Sequence, residues 1–341
     1  MKKAFRALPL LLALWAAAPA CARQGDTSHA PPQDAGGEEV VRVSTALVTV
    51  PVSVMDRQGR FIPGLRKEDF RIYEDGAEQE VAFFETADKP FTVALLLDTS
   101  DSTRLKLAQI QDAAVAFLGQ LRPADRVIVI AFDRNVNLLC EATADHARAA
   151  AAVRRAQTGG GTSLYDAVAA ATGRRLKAVA GRKAVVLFTD GVDTSSRRAT
   201  FEGTLREAEE LDALVYTIQY RTDDDVAAGP AVAQGQTGGQ IVTAKGEPLE
   251  AAYKRAGLYL RLLADHTGGR SFSAGSPRLL AGVFGQIAEE LRRQYSLGYY
   301  PANRSADGKR RRLKVRVGRP DAAVRARGGY VYQPEGGARE R

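Results

Sequence analysis

The run Ala94-Leu95-Leu96-Leu97 carries no polar side chain and then breaks at once into Asp98-Thr99-Ser100-Asp101-Ser102. A short, uninterrupted apolar run is the pattern of a strand buried on both faces, and such a strand needs a covering layer on each side of its sheet. A second run, Ala184-Val185-Val186-Leu187-Phe188-Thr189, also stops at a carboxylate, Asp190, followed by Gly191. Around these two, apolar strands alternate with helical stretches. The pattern predicts strands over 92–97, 126–132, 136–140, 183–189, 215–220 and 270–273, and helices over 103–121, 144–156, 164–179, 201–214, 256–267 and 277–294. Alternation of this kind specifies an α/β fold with a doubly wound, mostly parallel sheet. In the first helix Leu107, Ile110, Ala114, Phe117, Leu118 and Leu121 recur at helical spacing, which marks a core-facing stripe rather than a cofactor site.

In open α/β sheets ligands gather beyond the carboxyl ends of the strands, so Asp98 and Asp190 should share one rim. Skipping one residue each time places Ser100 and Ser102 on the side that Asp98 faces. Hydroxyls with a few carboxylates are the oxygen set that suits Mg²⁺ or Mn²⁺. A third segment, Gly159-Gly160-Gly161-Thr162-Ser163, precedes a helical stretch, and its glycines let the Thr162 backbone approach closely. Asp and Ser also serve as ordinary turn and N-cap residues, so the first loop alone does not decide the matter; the other two segments shift the balance toward a cation site. Asp133, Asp166 and Asp193 lie near the same elements and qualify for supporting roles at most. Asp166, one turn beyond Thr162, would serve equally as a helix cap or surface pair.

These motifs resemble the von Willebrand factor A domain family, whose metal-ion-dependent adhesion site combines Asp-x-Ser-x-Ser, a distant Thr and a more distant Asp. Asp98, Ser100, Ser102, Thr162 and Asp190 match it in order, and the resemblance spans about residues 91–294. It implies that Ser100 and Ser102 ligate the metal directly and Thr162 directly or through water. Asp98 and Asp190 would then act largely through water. It further implies an open coordination position for an acidic side chain of a protein partner. The segment Val54-x-Asp56-x-x-Gly59-x-x-x-x-Gly64-Leu65-x-x-x-Asp69-Phe70 resembles the N-terminal part of bacterial exported proteins related to this family.

Residues 1–22 carry Lys2, Lys3 and Arg6, then an apolar stretch, then small residues, the layout of a secretory signal peptide. Cleavage after Ala20 and after Ala22 both fit the small-x-small rule. Cutting before Cys21 would expose it for lipidation and membrane attachment, although Ala18 stands where a lipobox prefers Leu. Otherwise the product is an exported protein of the periplasm, cell envelope or exterior. Residues 23–39 are rich in Pro, Gly, Asp and Gln and read as a disordered tether. An N-terminal β segment follows over 40–88, with Val48, Val50, Val52 and Val54 on one face of its first strand, and a C-terminal β segment over 295–334 before a tail at 335–341. Neither segment is large enough to close a core alone. Together they predict one small β-sandwich into which the α/β region is inserted.

The formal net charge of +8 concentrates in the C-terminal strands, where Lys309, Arg310, Arg311, Arg312, Lys314, Arg316, Arg319, Arg325 and Arg327 read as a solvated strand face. No motif combines basic and aromatic residues for nucleic acid, which is excluded as a partner. Residues 222–254 lose periodicity, and their Asp223-Asp224-Asp225 run reads as a solvated charge run. Without Cys21, Cys140 stands alone as a buried, inert thiol. His29, His146 and His266 are not placed for nucleophilic or zinc chemistry. A strand ending in Asp also resembles Mg²⁺-dependent phosphatases of the haloacid dehalogenase type. Those place a second Asp two residues on, where this chain has Ser100, and the glycine loop lacks the lysine of a phosphate loop. The sequence thus favours a non-enzymatic adhesion or protein-binding module; a hydrolase and a purely structural envelope module are the alternatives.

Overall fold

The computed structural model describes residues 47–86, 89–220, 243, 246–274, 277–305 and 307–332. The expected leader, tether and tail, and most of the loop over 222–254 with its three aspartates, lie outside the described residues. Four strands come first: β1 (Val48–Met55), β2 (Phe70–Glu74), β3 (Ala77–Gln79) and β4 (Phe83–Glu85). The α/β part begins with β5 (Phe91–Asp98), α1 (Leu107–Leu118), β6 (Arg126–Phe132), β7 (Val136–Thr143), α2 (His146–Arg154) and α3 (Leu164–Ala169). It continues through β8 (Arg182–Thr189), α4 (Phe201–Glu210), β9 (Ala213–Tyr220), α5 (Leu249–Thr267), β10 (Arg270–Ala274) and α6 (Pro277–Arg293). Strands β11 (Tyr295–Tyr299), β12 (Arg310–Val317), β13 (Ala323–Arg325) and β14 (Gly329–Val331) follow.

The central sheet has the order β10-β9-β8-β5-β6-β7, with every neighbouring pair parallel except β6 and β7. From β5 the chain runs outward through β6 and β7, then crosses back to β8 on the other side. The order therefore reverses between β5 and β8, which is where this architecture opens a ligand crevice. Both strands are buried at every residue, the physical reason they read as unbroken apolar runs. Helices α1, α2 and α6 pack one face through Ile110, Phe117, Val153, Phe284 and Ile287. Helices α3, α4 and α5 pack the other through Leu164, Val168, Leu205, Tyr259 and Leu263.

The remaining strands form two four-stranded antiparallel sheets, β13-β1-β11-β4 and β14-β12-β2-β3. Each mixes strands from before and after the α/β region: Val50 pairs with Leu297, and Ile72 with Val315. Val50, Val52, Phe70, Ile72, Leu297 and Tyr299 share one core between the sheets, so the N- and C-terminal strands make a single sandwich carrying the α/β fold as an insert. The second face of β1 meets the insert rather than water. Ser53 Oγ donates to Glu290 of α6 at 3.2 Å, and Arg325 pairs with the same carboxylate at 2.9 Å. Arg327 donates to the carbonyls of Glu209 and Thr49, at 3.1 and 2.6 Å. No helix among the described residues is long and apolar enough to cross a membrane.

Several elements depart from the periodicity. The helix expected over 103–121 starts as a 3₁₀ turn at Asp101–Lys106, because the Thr103 amide and hydroxyl both bond the Ser100 carbonyl, at 2.9 and 2.7 Å. The stretch expected as helix to 214 yields at Glu210. Ala213 and Leu214 instead take strand positions opposite Lys183 and Ala184, a case of sheet pairing overriding helical propensity. Helix α5 begins at Leu249 rather than 256, directly after Pro248. Beyond α3 the helix opens into a π turn over Ala170–Leu176. The solvated basic face needs a correction too: Arg312, Lys314 and Arg316 are exposed, but Arg311 and Arg327 are buried.

Candidate functional site

Asp98 is the last residue of β5 and has no solvent exposure. Its Oδ2 accepts from Thr189 Oγ1 at 2.6 Å and its Oδ1 accepts from the Ser100 amide at 3.0 Å. The Ser100 and Ser102 hydroxyls stand 3.0 Å apart, and Ser102 Oγ donates to Asp190 Oδ2 at 2.9 Å. Asp190 Oδ1 accepts from the Val192 amide at 3.1 Å, an Asx-type turn that fixes the carboxylate after β8. A continuous chain of oxygens thus joins the ends of β5 and β8. No Lys or Arg side chain forms an ion pair with Asp98 among the described residues. Burial, and then repulsion from Asp190, push its carboxyl up to about 7 against the hydrogen bonds from Ser100 and Thr189.

The glycine segment closes the third side. Ser100 and Gly159 form a parallel bridge, with the Gly159 amide donating to the Thr99 carbonyl at 2.8 Å. A Cβ on Gly159 would stand 2.1 Å from Asp133 Oδ2. Gly161 adopts φ +78°, and a Cβ there would meet Ser195 Oγ at 2.3 Å, so both positions need glycine. Thr162 is buried and is held by its backbone. Its amide donates to Thr194 Oγ1 at 2.8 Å, and its carbonyl accepts from the Thr194 and Ser195 amides, each at 2.9 Å.

The three supporting aspartates brace loops. Asp133 Oδ1 accepts from the Asn135 amide at 2.6 Å. Asp193 is buried and accepts the Ser196 hydroxyl at 2.5 Å. Asp166 accepts the amides of Arg197, Arg198 and Ala199 at 3.0, 3.0 and 2.7 Å. Partial burial works to raise the Asp166 carboxyl, but these three donors outweigh it and hold the group below its usual range. Sequence pattern alone does not mark Thr189 or Thr194 as site residues. The one signal for Thr189 was a hydroxyl residue directly preceding the carboxylate at a strand end. His146 bonds the Asp125 carbonyl and His266 faces Glu209; neither contacts the rim carboxylates. Cys140 is free and buried. No group of three or more His, Cys, Asp or Glu side chains suited to a metal occurs among the described residues, so a cation at this rim must rely on hydroxyls beside its two carboxylates.

Residues 93–192 match the family model of the von Willebrand factor type A domain. Among solved structures, the chain is similar to the von Willebrand factor domain of a type V pilus tip protein from Porphyromonas gingivalis, at 15% identity over 59% of this chain and 94% of that one, TM-score 0.43. A von Willebrand factor type A protein from Catenulispora acidiphila aligns at 14% identity over 85% of this chain and 74% of that one, TM-score 0.45. Proximal thread matrix protein 1 from the mussel byssus, with a zinc-occupied metal-ion-dependent adhesion motif, aligns at 11% identity over 64% of this chain and 49% of that one, TM-score 0.45. No curated protein matches the chain in sequence. Its strand order and its Asp-x-Ser-x-Ser strand end accord with that family model, and residues 93–192 of the α/β part are identified by it as von Willebrand factor type A sequence.

Proposed function

We propose that Asp98, Ser100, Ser102, Thr162 and Asp190 hold a divalent cation, Mg²⁺ or Mn²⁺, and that an exported protein uses it to bind an acidic side chain of a protein partner. The observation that carries this reading is Asp98: a fully buried carboxylate without an ion-pair partner among the described residues, bonded to the Ser100 amide, with the Ser100 and Ser102 hydroxyls running on to a second carboxylate. Such a pair is costly unless it is protonated or shares a cation. The oxygen-only donor set fits a hard ion rather than a thiolate- or imidazole-seeking one.

The cation would supply an electrophilic centre for an incoming carboxylate. The chain's own groups position it. Thr189 and the Ser100 amide orient Asp98, the 3₁₀ turn after Ser100 presents Ser102, and the Ser100–Gly159 bridge holds the glycine segment that leads to Thr162 beside Ser100. Among the described residues no His or Cys side chain contacts the rim carboxylates, which favours binding over hydrolysis.

Calorimetric titration of chelator-treated mature protein with Mg²⁺ and Mn²⁺ tests the reading, with Asp98→Ala and Ser100→Ala compared to wild type. Saturable binding in the wild type, lost in both variants while they remain folded, is the expected result. Equal binding in wild type and Asp98→Ala, or none in folded wild type, would contradict it.

A further inference from the structure

Beside the rim lies a cavity of about 630 Å³ whose lining includes Arg134, Arg174, Arg175, Arg197 and Arg198. Five guanidinium groups lining one concavity give it a positive field that draws anions. Among the described residues Arg175 is engaged by Glu141 at 2.6 Å, while the guanidinium groups of Arg134, Arg174, Arg197 and Arg198 form no ion pair. All four are exposed. The acidic residues in the lining are Asp166 and Glu207, and Asp166 is already occupied by three backbone amides.

The arginines are presented by rigid backbone. Those same three bonds from Asp166 fix the loop that carries Arg197 and Arg198. The Arg134 amide donates to the Gly160 carbonyl at 3.0 Å, and the Arg134 carbonyl accepts the Ser163 hydroxyl at 2.7 Å. Arg174 and Arg175 ride on the π turn at Ala170–Leu176, a helix irregularity frequent at functional sites.

The cavity adjoins the loops that frame the rim. A Cβ on Gly160 would lie 3.6 Å from Asp101 Oδ2 and 3.7 Å from Arg134 Nη2, so the glycine segment runs between Asp101 on one side and the Arg134 guanidinium on the other. Ser195 lines the cavity and bonds the Thr162 carbonyl.

We propose that this arginine-lined groove receives an acidic peptide segment of the partner, several carboxylates running along the groove while one is offered to the rim. The inference rests on the protein-binding reading given above, and it specifies the partner: an Asp- and Glu-rich stretch rather than a single acidic residue. Arginine forks match carboxylates bidentately, and a row of them selects a chain of anions over an isolated one.

A fluorescein-labelled oligoglutamate peptide is the probe, read by fluorescence anisotropy on the full chain at low ionic strength, with Mg²⁺ and separately in chelator. Arg174→Glu/Arg197→Glu should weaken binding by about tenfold or more in both conditions, as expected for two reversed charge contacts. Arg312→Glu/Lys314→Glu, an equal charge change on the exposed face of β12, should alter it less than about twofold. Equal loss in both variants would overturn the groove, leaving only a net-charge effect. So would absence of peptide binding, or a sulfated polysaccharide competing more strongly than the peptide. The metal reading fails separately: if calorimetry finds no Mg²⁺ binding while groove-dependent peptide binding persists in chelator, the groove stands and the rim cation does not.

Discussion

Two buried carboxylates in this molecule meet opposite treatment. Glu74, in the sandwich, accepts the hydroxyls of Tyr299 and Tyr330 at 2.6 and 2.7 Å and pairs with buried Arg311 at 3.0 Å. Asp98, in the α/β domain, accepts from the Thr189 hydroxyl and from Ser100, has no ion-pair partner among the described residues, and is repelled by a second carboxylate, Asp190. One environment brings its own cation; the other leaves the charge for something else to neutralise. A compensated buried charge is architecture, and an uncompensated one at the reversal point of a sheet is the stronger pointer to function.

The comparison breaks most visibly if Arg311 proves dispensable. Arg311→Met strands Glu74 in the sandwich core and should cost about 3–5 kcal/mol in urea unfolding, equally with and without Mg²⁺. Equal stability to wild type would mean that the Tyr299 and Tyr330 hydroxyls alone compensate Glu74.

Next in size is the cation's effect on the other carboxylate. Mg²⁺ at a hundredfold excess over its dissociation constant should stabilise wild type by about 2.7 kcal/mol and Asp98→Asn not at all. The same pair of proteins tests the pH dependence. Burial and repulsion from Asp190 push the folded Asp98 carboxyl up to about 7, from an ordinary value of 3.8. Between those values the native state binds more protons than the unfolded state, so without metal this group's contribution to stability falls as pH rises from about 4 to about 7. Asp98→Asn should flatten that slope, and saturating Mg²⁺ should oppose it, because cation and proton compete for one carboxylate. An unchanged slope in the variant would assign the titration to another group.

A smaller effect is expected where the backbone shapes the site. Gly161→Ala forces a side chain into the left-handed region beside Ser195 and should cost about 1–2 kcal/mol, with weaker Mg²⁺ binding because Thr162 moves. Intact affinity would separate Thr162 from the site. Smallest of all, Lys314→Ala on the exposed face of β12 should change stability by no more than about 0.5 kcal/mol.

How much of this could be read from the chain follows from where each signal lies. Asp98 and Asp190 announce themselves because an apolar run must end at a sheet rim, and the rim is where β5 and β8 meet. Sandwich pairing was legible from two half-sets of alternating strands, each too small alone. Arg311 was misread as solvated although it shares parity with Leu313 and Val315, which point inward; the alternation held, and counting arginines obscured it. The arginine groove left no sequence trace, since Arg134, Arg174 and Arg197 come from three separate connections and only the fold brings them together. The π turn was equally hidden, because helical periodicity does not register one widened turn.

The most direct test of the central claim is an Mn²⁺ soak of crystals of the mature protein, with an anomalous difference map. The account predicts a peak within ligand distance of Ser100 Oγ and Ser102 Oγ, between the Asp98 and Asp190 carboxylates, and none there in Asp98→Asn. A map without that peak at saturating Mn²⁺, or with the ion bound elsewhere in wild type, would contradict it.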